Sequence, residues 1–207
     1  MQRPEILYVA GVNESSSFVS TNVRELQSRL SSHVLVESAV VMKRFPDKLS
    51  IFLTPRKAAA VTLAAVGSKQ VPLYIDRHGV VFKIGEPESL ETKNLPILSG
   101  IENPRLNMRL PDALLPLVGS LCLMAASSPE LLSAISEIRI ERKVWDGYDL
   151  VLFPVHSSIR VRVNYVTEDV LRYMLLMLNV FEYDAQKPRE IDFRSGMGSY
   201  KIKEQSS

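Results

Sequence analysis

The sequence predicts an α+β protein, and three observations carry this prediction. Alternating apolar and polar residues, bounded by turn-forming residues, occur near both ends of the chain and are typical of paired strands. Stretches with helical spacing of apolar residues separate these strands. The length of 207 residues suits one large domain or two small ones.

The first of these regions predicts a helix followed by a β-hairpin. Asn22 is expected to cap a helix over VRELQSRL. The segment AVVMKRFPDKLSIFLT (39–54) then turns at Pro46-Asp47. Alternation places the following residues on one face of each strand: Val36, Ser38, Val40 and Met42 in the first, and Leu49, Ile51 and Leu53 in the second.

The middle of the chain starts with a change in composition at Arg56-Lys57, which marks a candidate domain boundary. Residues 71–85 predict a second hairpin that turns at 76–79, where Gly79 can take positive φ. Residues 85–111 are rich in Pro, Glu and Asn and are interpreted as a loop. A helix is expected from 111–112 to about Ala126, and a short one after Ser128-Pro129.

The last third of the chain is strongly β. SEIRIERK and DLVLFP flank an Asp146-Gly147 turn, and SIRVRVNY alternates, with Ile159, Val161 and Val163 facing inward. Thr167 is expected to cap a helix over EDVLRYMLLMLNVF. The chain then predicts a strand in REIDFR, a turn at 195–196 and a terminal strand in SYKIKE.

Composition argues against several function classes. Basic and acidic residues nearly cancel, at 25 against 23, so there is no electrostatic footprint for nucleic acid. The single cysteine, Cys122, excludes an internal disulfide and a cysteine cluster for metal. No signal peptide is visible, and the apolar part of 113–129 is shorter than the ~20 residues of a membrane span.

Residues suited to catalysis are sparse. His33, His78 and His156 have no second ligand-type residue at metal spacing. The serine-rich segments lack the nucleophile-elbow pattern, and the nine glycines are scattered. The acidic residues beside strands, Asp76, Glu137 and Asp192 among them, suit ordinary turn chemistry. We therefore expect no catalytic, metal or cofactor site, and an enzyme with an unrecognised site is the weaker alternative.

Several motifs in order resemble the FtsQ/DivIB cell-division family, whose members carry a POTRA domain followed by a β-domain. The segment VxxAVVMKRFPDKLSIFLTPRKAA is similar to the end of that POTRA domain, with its aromatic-Pro-Asp turn. YIDRHGVVF resembles the family's ID-x-x-G-x-V-F hairpin, and LPILSG its LP-x-L-x-G loop. ISEIRI and IDFR resemble strand starts, so the similarity covers residues 5–204.

The resemblance implies a POTRA-like domain at 1–57, N-terminally truncated, followed by an antiparallel β-sheet domain with helices packed on it at 58–205. The family's transmembrane helix and first POTRA strand have no counterpart here, which we interpret as an ectodomain fragment or a misplaced start. EILYVAGV then corresponds to the first POTRA helix, so residues 5–10 are expected to be helical. The alternative makes ILYVA that first strand.

The resemblance also implies a function: a non-catalytic scaffold of the division machinery on the extracytoplasmic side of the inner membrane. Its partners would be small coiled-coil division proteins of the FtsB/DivIC and FtsL type, added as a strand to the C-terminal edge, with no cofactor. The residues that correspond to this contact are Arg194, Ser199, Tyr200, Lys201, Ile202 and Lys203. The main-chain groups of an exposed edge strand suit this mode of binding, although lysines there are also a usual guard of a merely solvated edge.

A second interpretation is a POTRA-bearing subunit of a secretion or outer-membrane assembly system. The roughly 150 residues after the POTRA region include two or three predicted helices, which argues against the long β-barrel that such subunits carry.

Overall fold

The computed structural model describes residues 3–11, 21–84, 94–145, 147–182, 188–196 and 198–200. The chain divides into two compact units, Met1–Lys57 and Ala58–Ser207. Each unit places helices against one face of a sheet and has its own apolar core. The predicted α+β class is confirmed.

The first unit contains two helices and a two-stranded antiparallel sheet. Its elements are α1 (Arg3–Ala10), α2 (Val23–Ser31), β1 (Val36–Arg44) and β2 (Lys48–Pro55). The expected helix over 5–10 is confirmed, and the alternative that makes ILYVA a strand is wrong. The Asn22 side chain caps α2 as expected, accepting hydrogen bonds from the amides of Arg24 and Glu25 at 3.1 and 3.4 Å.

One expectation for this hairpin needs correction. A β-bulge between Val36 and Ser38 shifts the alternation, so Val36 shares the buried face with Ala39 and Val41. Val40 and Met42 therefore lie on the exposed face, away from the helices. The bulge falls at Val36-Glu37-Ser38, before the apolar run that starts at Ala39, and alternation alone does not reveal where the extra residue is inserted.

The second unit contains a nine-stranded sheet in the order β11-β10-β9-β8-β7-β6-β3-β4-β5. Its strands are β3 (Ala58–Val66), β4 (Lys69–Asp76), β5 (Val81–Phe82), β6 (Ile97–Ser99), β7 (Ile135–Arg142), β8 (Tyr148–Pro154), β9 (Arg160–Val163), β10 (Glu190–Asp192) and β11 (Ser199–Tyr200). The helices are α3 (Leu115–Ser127), α4 (Pro129–Ser133) and α5 (Glu168–Glu182), with a 3-10 turn, Asp112–Leu114, before α3.

This sheet is mixed rather than purely antiparallel. Five of the pairings between described strands are antiparallel, whereas β3–β6, β6–β7 and β9–β10 are parallel. β9 and β10 are parallel because α5 connects them, returning the chain to the same end of the sheet. The expected sheet with helices packed on it is confirmed. The sequence does not predict its three parallel pairings.

Two strands were not expected. β3 lies in the alanine-rich stretch after Lys57, where a bulge between Ala58 and Ala60 obscures the alternation. β6 lies inside the segment interpreted as a loop; its Leu98 is fully buried between β3 and β7. Three residues are too few to show alternation, so only the completed sheet identifies β6 as a strand.

The inward residues of the C-terminal strands follow the predicted pattern. Ile159, Val161 and Val163 are buried, as are Leu150 and Leu152 on the neighbouring strand. They pack in one cluster with α3 and α5 side chains. The opposite face of β7 to β10 carries the alternate, mostly charged side chains, and it leads to the edge strand β11.

Candidate partner-binding edge

The two edges of the nine-stranded sheet differ in what covers them. At one edge, β5 is bonded to the segment after it: the Val81 amide donates to the Met108 carbonyl, and the Asn107 amide to the Val81 carbonyl, both at 2.8 Å. At the other edge, no strand among the described residues pairs with the outer side of β11. Within the part of the sheet that the structure describes, the main chain of the β11 edge can therefore accept another strand.

Local packing holds β11 in place. Gly196 takes a φ of +82°, which lets the chain turn back after β10, and its amide donates to the Phe193 carbonyl at 3.0 Å. A β-carbon at Gly198 would lie 3.1 Å from the Phe193 ring, so this close approach favours glycine. The Tyr200 ring meets the Phe181 ring of α5 edge-on, with centroids 4.8 Å apart.

The two described residues of β11 lie on opposite faces. Ser199 is opposite Asp192 in the ladder and lies on the charged outer face, where its hydroxyl donates to the Asp192 carbonyl at 3.3 Å. Tyr200 is opposite the buried Ile191 and lies on the helix-covered face. Lys201, Ile202 and Lys203, which the resemblance also implies, lie outside the described residues.

Arg194 does not lie on the edge strand but anchors the chain just before it. Its guanidinium donates to both carboxylate oxygens of Asp192, at 2.6 to 3.1 Å, and to Oδ2 of Asp149 at 2.7 Å. Its carbonyl accepts from the side-chain amide of Asn164 at 3.0 Å. Arg194 therefore links β8, β10 and the segment after β9.

Arg162 holds a second set of ion pairs on the same outer face. Its guanidinium donates to Oε2 of Glu141 on β7 at 2.6 Å and to Oε1 of Glu190 on β10 at 3.1 Å. The strand order places these partners on either side of it, because β10 is adjacent to β9 on one side and β7 lies two strands away on the other. We call Glu141, Lys143, Asp149, Arg162, Glu190, Asp192 and Arg194 the outer ion-pair network.

The charges of this network stabilise one another's ionised forms. Burial alone would raise the pKa of Asp149, but the hydrogen bond from Lys143 and the charge of Arg194 outweigh it, so this pKa lies below its usual value. The hydrogen bond from Arg194 likewise lowers the pKa of Asp192. Hydrogen bonding to Glu141 raises the pKa of Arg162, and hydrogen bonding to Asp192 raises that of Arg194.

An open cleft of about 390 Å³ lies where the network meets β11. It is lined by Lys143, Asn164, Asp192, Arg194, Ser195 and Ser199. Its carboxylate and both of its cations already belong to the network. The cleft therefore offers hydrogen-bonding groups beside the edge strand, and a side chain from an added strand could enter it.

The sequence singled out Arg194 but not its partners. For Asp192 the sequence predicts turn chemistry, and it does not predict the roles of Lys143, Asp149 and Arg162. The sequence signal for the outer ion-pair network is the outward alternation of Arg160 and Arg162. Their positive charges favour acidic partners on nearby strands. Identifying those acids requires the register, which the β7–β8, β8–β9 and β9–β10 pairings set together.

Of the other acidic residues expected to serve turns, Asp76 does so, whereas Glu137 lies within β7 and accepts a hydrogen bond from the Ser99 hydroxyl. Asp76 serves its turn, accepting from the amides of His78 and Val80 at 2.9 and 2.8 Å. Within the residues that the structure describes, no group of three or more His, Cys, Asp or Glu side chains could hold a metal ion. Over the same residues, no helix has the length and apolar character needed to span a bilayer.

The chain resembles known proteins in both units. A family model described as "POTRA domain, FtsQ-type" matches residues 1–56. A cell division protein FtsQ of Geobacter sp. (strain M21) is 28% identical over 167 residues, which is 79% of this chain and 57% of that protein. A cell division protein FtsQ of Koribacter versatilis (strain Ellin345) is 36% identical over 111 residues, which is 53% of this chain and 30% of that protein.

These matches define what is shared and how far it extends. The chain spans less than two thirds of the length of either relative. The POTRA match falls on the first unit, and the longer alignment extends well beyond it into the second. The chain therefore matches an FtsQ-type POTRA domain over residues 1–56 and has distant FtsQ homologues over most of its length.

Proposed function

We propose that this chain is a non-catalytic scaffold of the bacterial division machinery, acting on the extracytoplasmic side of the inner membrane. Its similarity to cell division proteins FtsQ supports the divisome role. The proposed domains are a POTRA domain over 1–57 and a partner-binding β-domain over 58–205. In this proposal the β-domain recruits small coiled-coil division proteins of the FtsB/DivIC and FtsL type.

The observation that carries the proposal is the position of β11 at the edge of the nine-stranded sheet. A partner strand would pair with the main chain of Ser199–Tyr200 and of the residues that follow, Lys201, Ile202 and Lys203. Pairing to the backbone supplies affinity, whereas the alternating side chains select the partner. Arg194 would act from the adjacent cleft, meeting a partner side chain on the outer face.

The non-catalytic part of the proposal rests on how the polar groups of the cleft are used. Arg194, Asp192 and Lys143 are held in ion pairs by neighbours on the same sheet. Such pairing lowers the pKa of Asp192 and Asp149, which keeps them ionised at neutral pH rather than poised as acids or bases. This arrangement suits a rigid recognition surface better than proton transfer.

The test uses proline at two edge positions. Tyr200→Pro and Ile202→Pro each remove one main-chain N–H, and we expect binding to an FtsB/DivIC–FtsL-type complex to be lost, as measured by calorimetry. Tyr200→Phe keeps the N–H and the ring that contacts Phe181, so its Kd should stay within about twofold of the wild-type Kd.

Thermal denaturation separates loss of binding from loss of folding. If Tyr200→Pro also disturbs the contact with Phe181, Ile202→Pro is the variant that tests whether the edge binds the partner. A folded Ile202→Pro variant that binds the partner complex with an unchanged Kd would overturn the proposed edge. Loss of binding in Tyr200→Phe as severe as in the proline variants would also contradict it.

A further inference from the structure

The exposed face of the β1–β2 hairpin carries apolar side chains up to its tip. Val40 and Phe52 are directly opposite each other across the strands and are 47% and 53% exposed. Met42, further toward the tip, is also exposed, and Phe45 in the turn is 93% exposed. A phenylalanine so exposed makes almost no contribution to the core of this unit.

Cations flank the turn that carries this phenylalanine, and the turn itself also contains the exposed Asp47. Arg44 and Lys48 are opposite each other across the hairpin and lie on the same face as Met42, Val40 and Phe52. We call these six residues the hairpin surface: Val40, Met42, Arg44, Phe45, Lys48 and Phe52. Residues 1–57 have eight basic and five acidic residues, against 17 and 18 in the rest of the sequence, so the surface lies in the more basic unit.

The hairpin surface is unfavourable for the isolated fold. Two like charges directly opposite in an antiparallel pair destabilise the sheet. Exposed apolar side chains on the same face gain nothing from burial in this unit. Both features become favourable together only against a ligand that is apolar and anionic.

We propose that the hairpin surface binds an anionic lipid bilayer. Phe45 and the apolar side chains would enter the boundary between headgroups and acyl chains. Arg44 and Lys48 would remain at the headgroup level, their aliphatic stems lying along the apolar layer. Charge complementarity selects anionic lipid, because basic residues near such a surface strengthen binding.

The size of the surface favours lipid over a protein partner. A stable protein interface uses about 20–30 residues on each side, whereas the hairpin surface has six. A bilayer needs no matching shape and rewards a few exposed apolar side chains flanked by cations. This proposal does not rest on the partner edge in the second unit, so either can fail without the other.

A tryptophan placed at the tip provides the first test. The chain has one tryptophan, Trp145, which is 96% exposed in the β7–β8 connection. In the full chain, Trp145→Phe combined with Phe45→Trp moves the only tryptophan, which is excited selectively at wavelengths too long for tyrosine to absorb, to the hairpin tip. On vesicles with about one third phosphatidylglycerol, brominated acyl chains should quench Trp at position 45, with a blue shift in its emission.

The wild-type chain is the matched control for this measurement. Trp145 also follows basic residues, but its neighbour Lys143 is paired with Asp149 at 2.9 Å. We therefore expect brominated lipid to leave the fluorescence of Trp145 unquenched. Equal quenching at both positions, or no quenching at position 45, would overturn the proposal.

Vesicle co-sedimentation provides the second test, with variants that retain Trp145. Arg44→Gln with Lys48→Gln should weaken partitioning onto the anionic vesicles by more than tenfold, because each cation contributes about fivefold. Phe45→Ser should weaken it by about tenfold. Tyr173→Ser, which removes an exposed aromatic from α5, should change it by less than about twofold.

The remaining outcomes are also decisive. Wild-type chain that partitions equally onto phosphatidylcholine and anionic vesicles would exclude the charge complementarity. Loss in Tyr173→Ser matching that in Phe45→Ser would show non-specific adsorption. If the hairpin surface instead serves a protein partner, wild-type chain will not sediment with either vesicle, and the proposal fails.

Discussion

The outer faces of the sheets in the two units carry opposite kinds of side chain, ion-paired in one and apolar in the other. Both cover one face with helices and bury alternating apolar residues there. The outer face of β7 to β10 is crossed by ion pairs that join four strands, whereas the outer face of β1 and β2 carries Val40, Met42 and Phe52. The difference separates a face that stabilises its own sheet from one that is available for binding.

The physical basis of this contrast is partial burial. Arg162 retains only 20% of its side-chain exposure and contacts acids on both sides of β9, on the adjacent β10 and on β7 two strands away. Ion pairs held in fixed geometry by register contribute more than mobile surface pairs do. Arg44 and Lys48 are fully at the surface and face each other with the same charge. The ion pairs of Arg162 stabilise the folded state, whereas the like charges of Arg44 and Lys48 destabilise it slightly.

The largest expected effect comes from removing the cation at the centre of the network. Arg162→Met leaves Glu141 and Glu190 on either side of an apolar side chain, so we expect the free energy of unfolding of the second unit to fall by about 2 kcal/mol. Urea denaturation followed by circular dichroism measures this change.

Arg160→Met is the matched control, because it changes the next outward residue of the same strand. Arg160 is 45% exposed and lies 3.9 Å from Glu190, so its removal should cost less than about 0.5 kcal/mol. Equal losses in the two variants would show that the outer ion-pair network has no special role and would remove the contrast between the two units.

Lowering the pH should affect the stability of the two units differently. The pKa values of Asp149 and Asp192 are lower in the folded protein than in the unfolded chain, so the unfolded state binds more protons as the pH falls past their ordinary values. The stabilisation from these carboxylates is complete above about pH 5 and is lost progressively below about pH 4.

Asp149→Asn tests this assignment. The variant should be less stable than wild type at neutral pH, because Lys143 and Arg194 lose a charged partner. Its melting temperature should then fall less steeply between pH 5 and pH 3 than that of wild type. Parallel curves for the two proteins would show that Asp149 does not carry the acid sensitivity.

How much of this contrast the sequence predicts depends on which interactions are local. The Asn22 cap, the turn at Pro46-Asp47 and the inward alternation of Ile159, Val161 and Val163 depend on neighbours a few residues away, and all three are confirmed. The bulge after Val36 reverses which residues of β1 are buried. No local feature of Val36-Glu37-Ser38 identifies the bulge in the sequence.

The candidate edge shows the same limit at longer range. A terminal strand at Ser199–Tyr200 follows from alternation, and the structure places it at the edge of the sheet. The contacts of Arg194 do not follow from alternation, because Asp149 is 45 residues away and meets it only through the order β8-β9-β10. Edge binding itself stays a prediction until the proline variants are measured.

The smallest expected effect is a gain in stability at the hairpin tip. Lys48→Glu turns the like-charge pair with Arg44 into an opposite-charge pair across the strands, which should stabilise the first unit by about 0.5 kcal/mol. Amide hydrogen exchange in β1 and β2 measures this local change without relying on the unfolding of the second unit. Lys57→Glu makes the same charge change outside the hairpin and should leave those amides unaffected.

If the hairpin surface binds lipid, Lys48→Glu should also weaken vesicle binding, so stability and binding would move in opposite directions. A variant that gains stability and keeps its affinity for anionic vesicles would show that Lys48 is not retained for lipid.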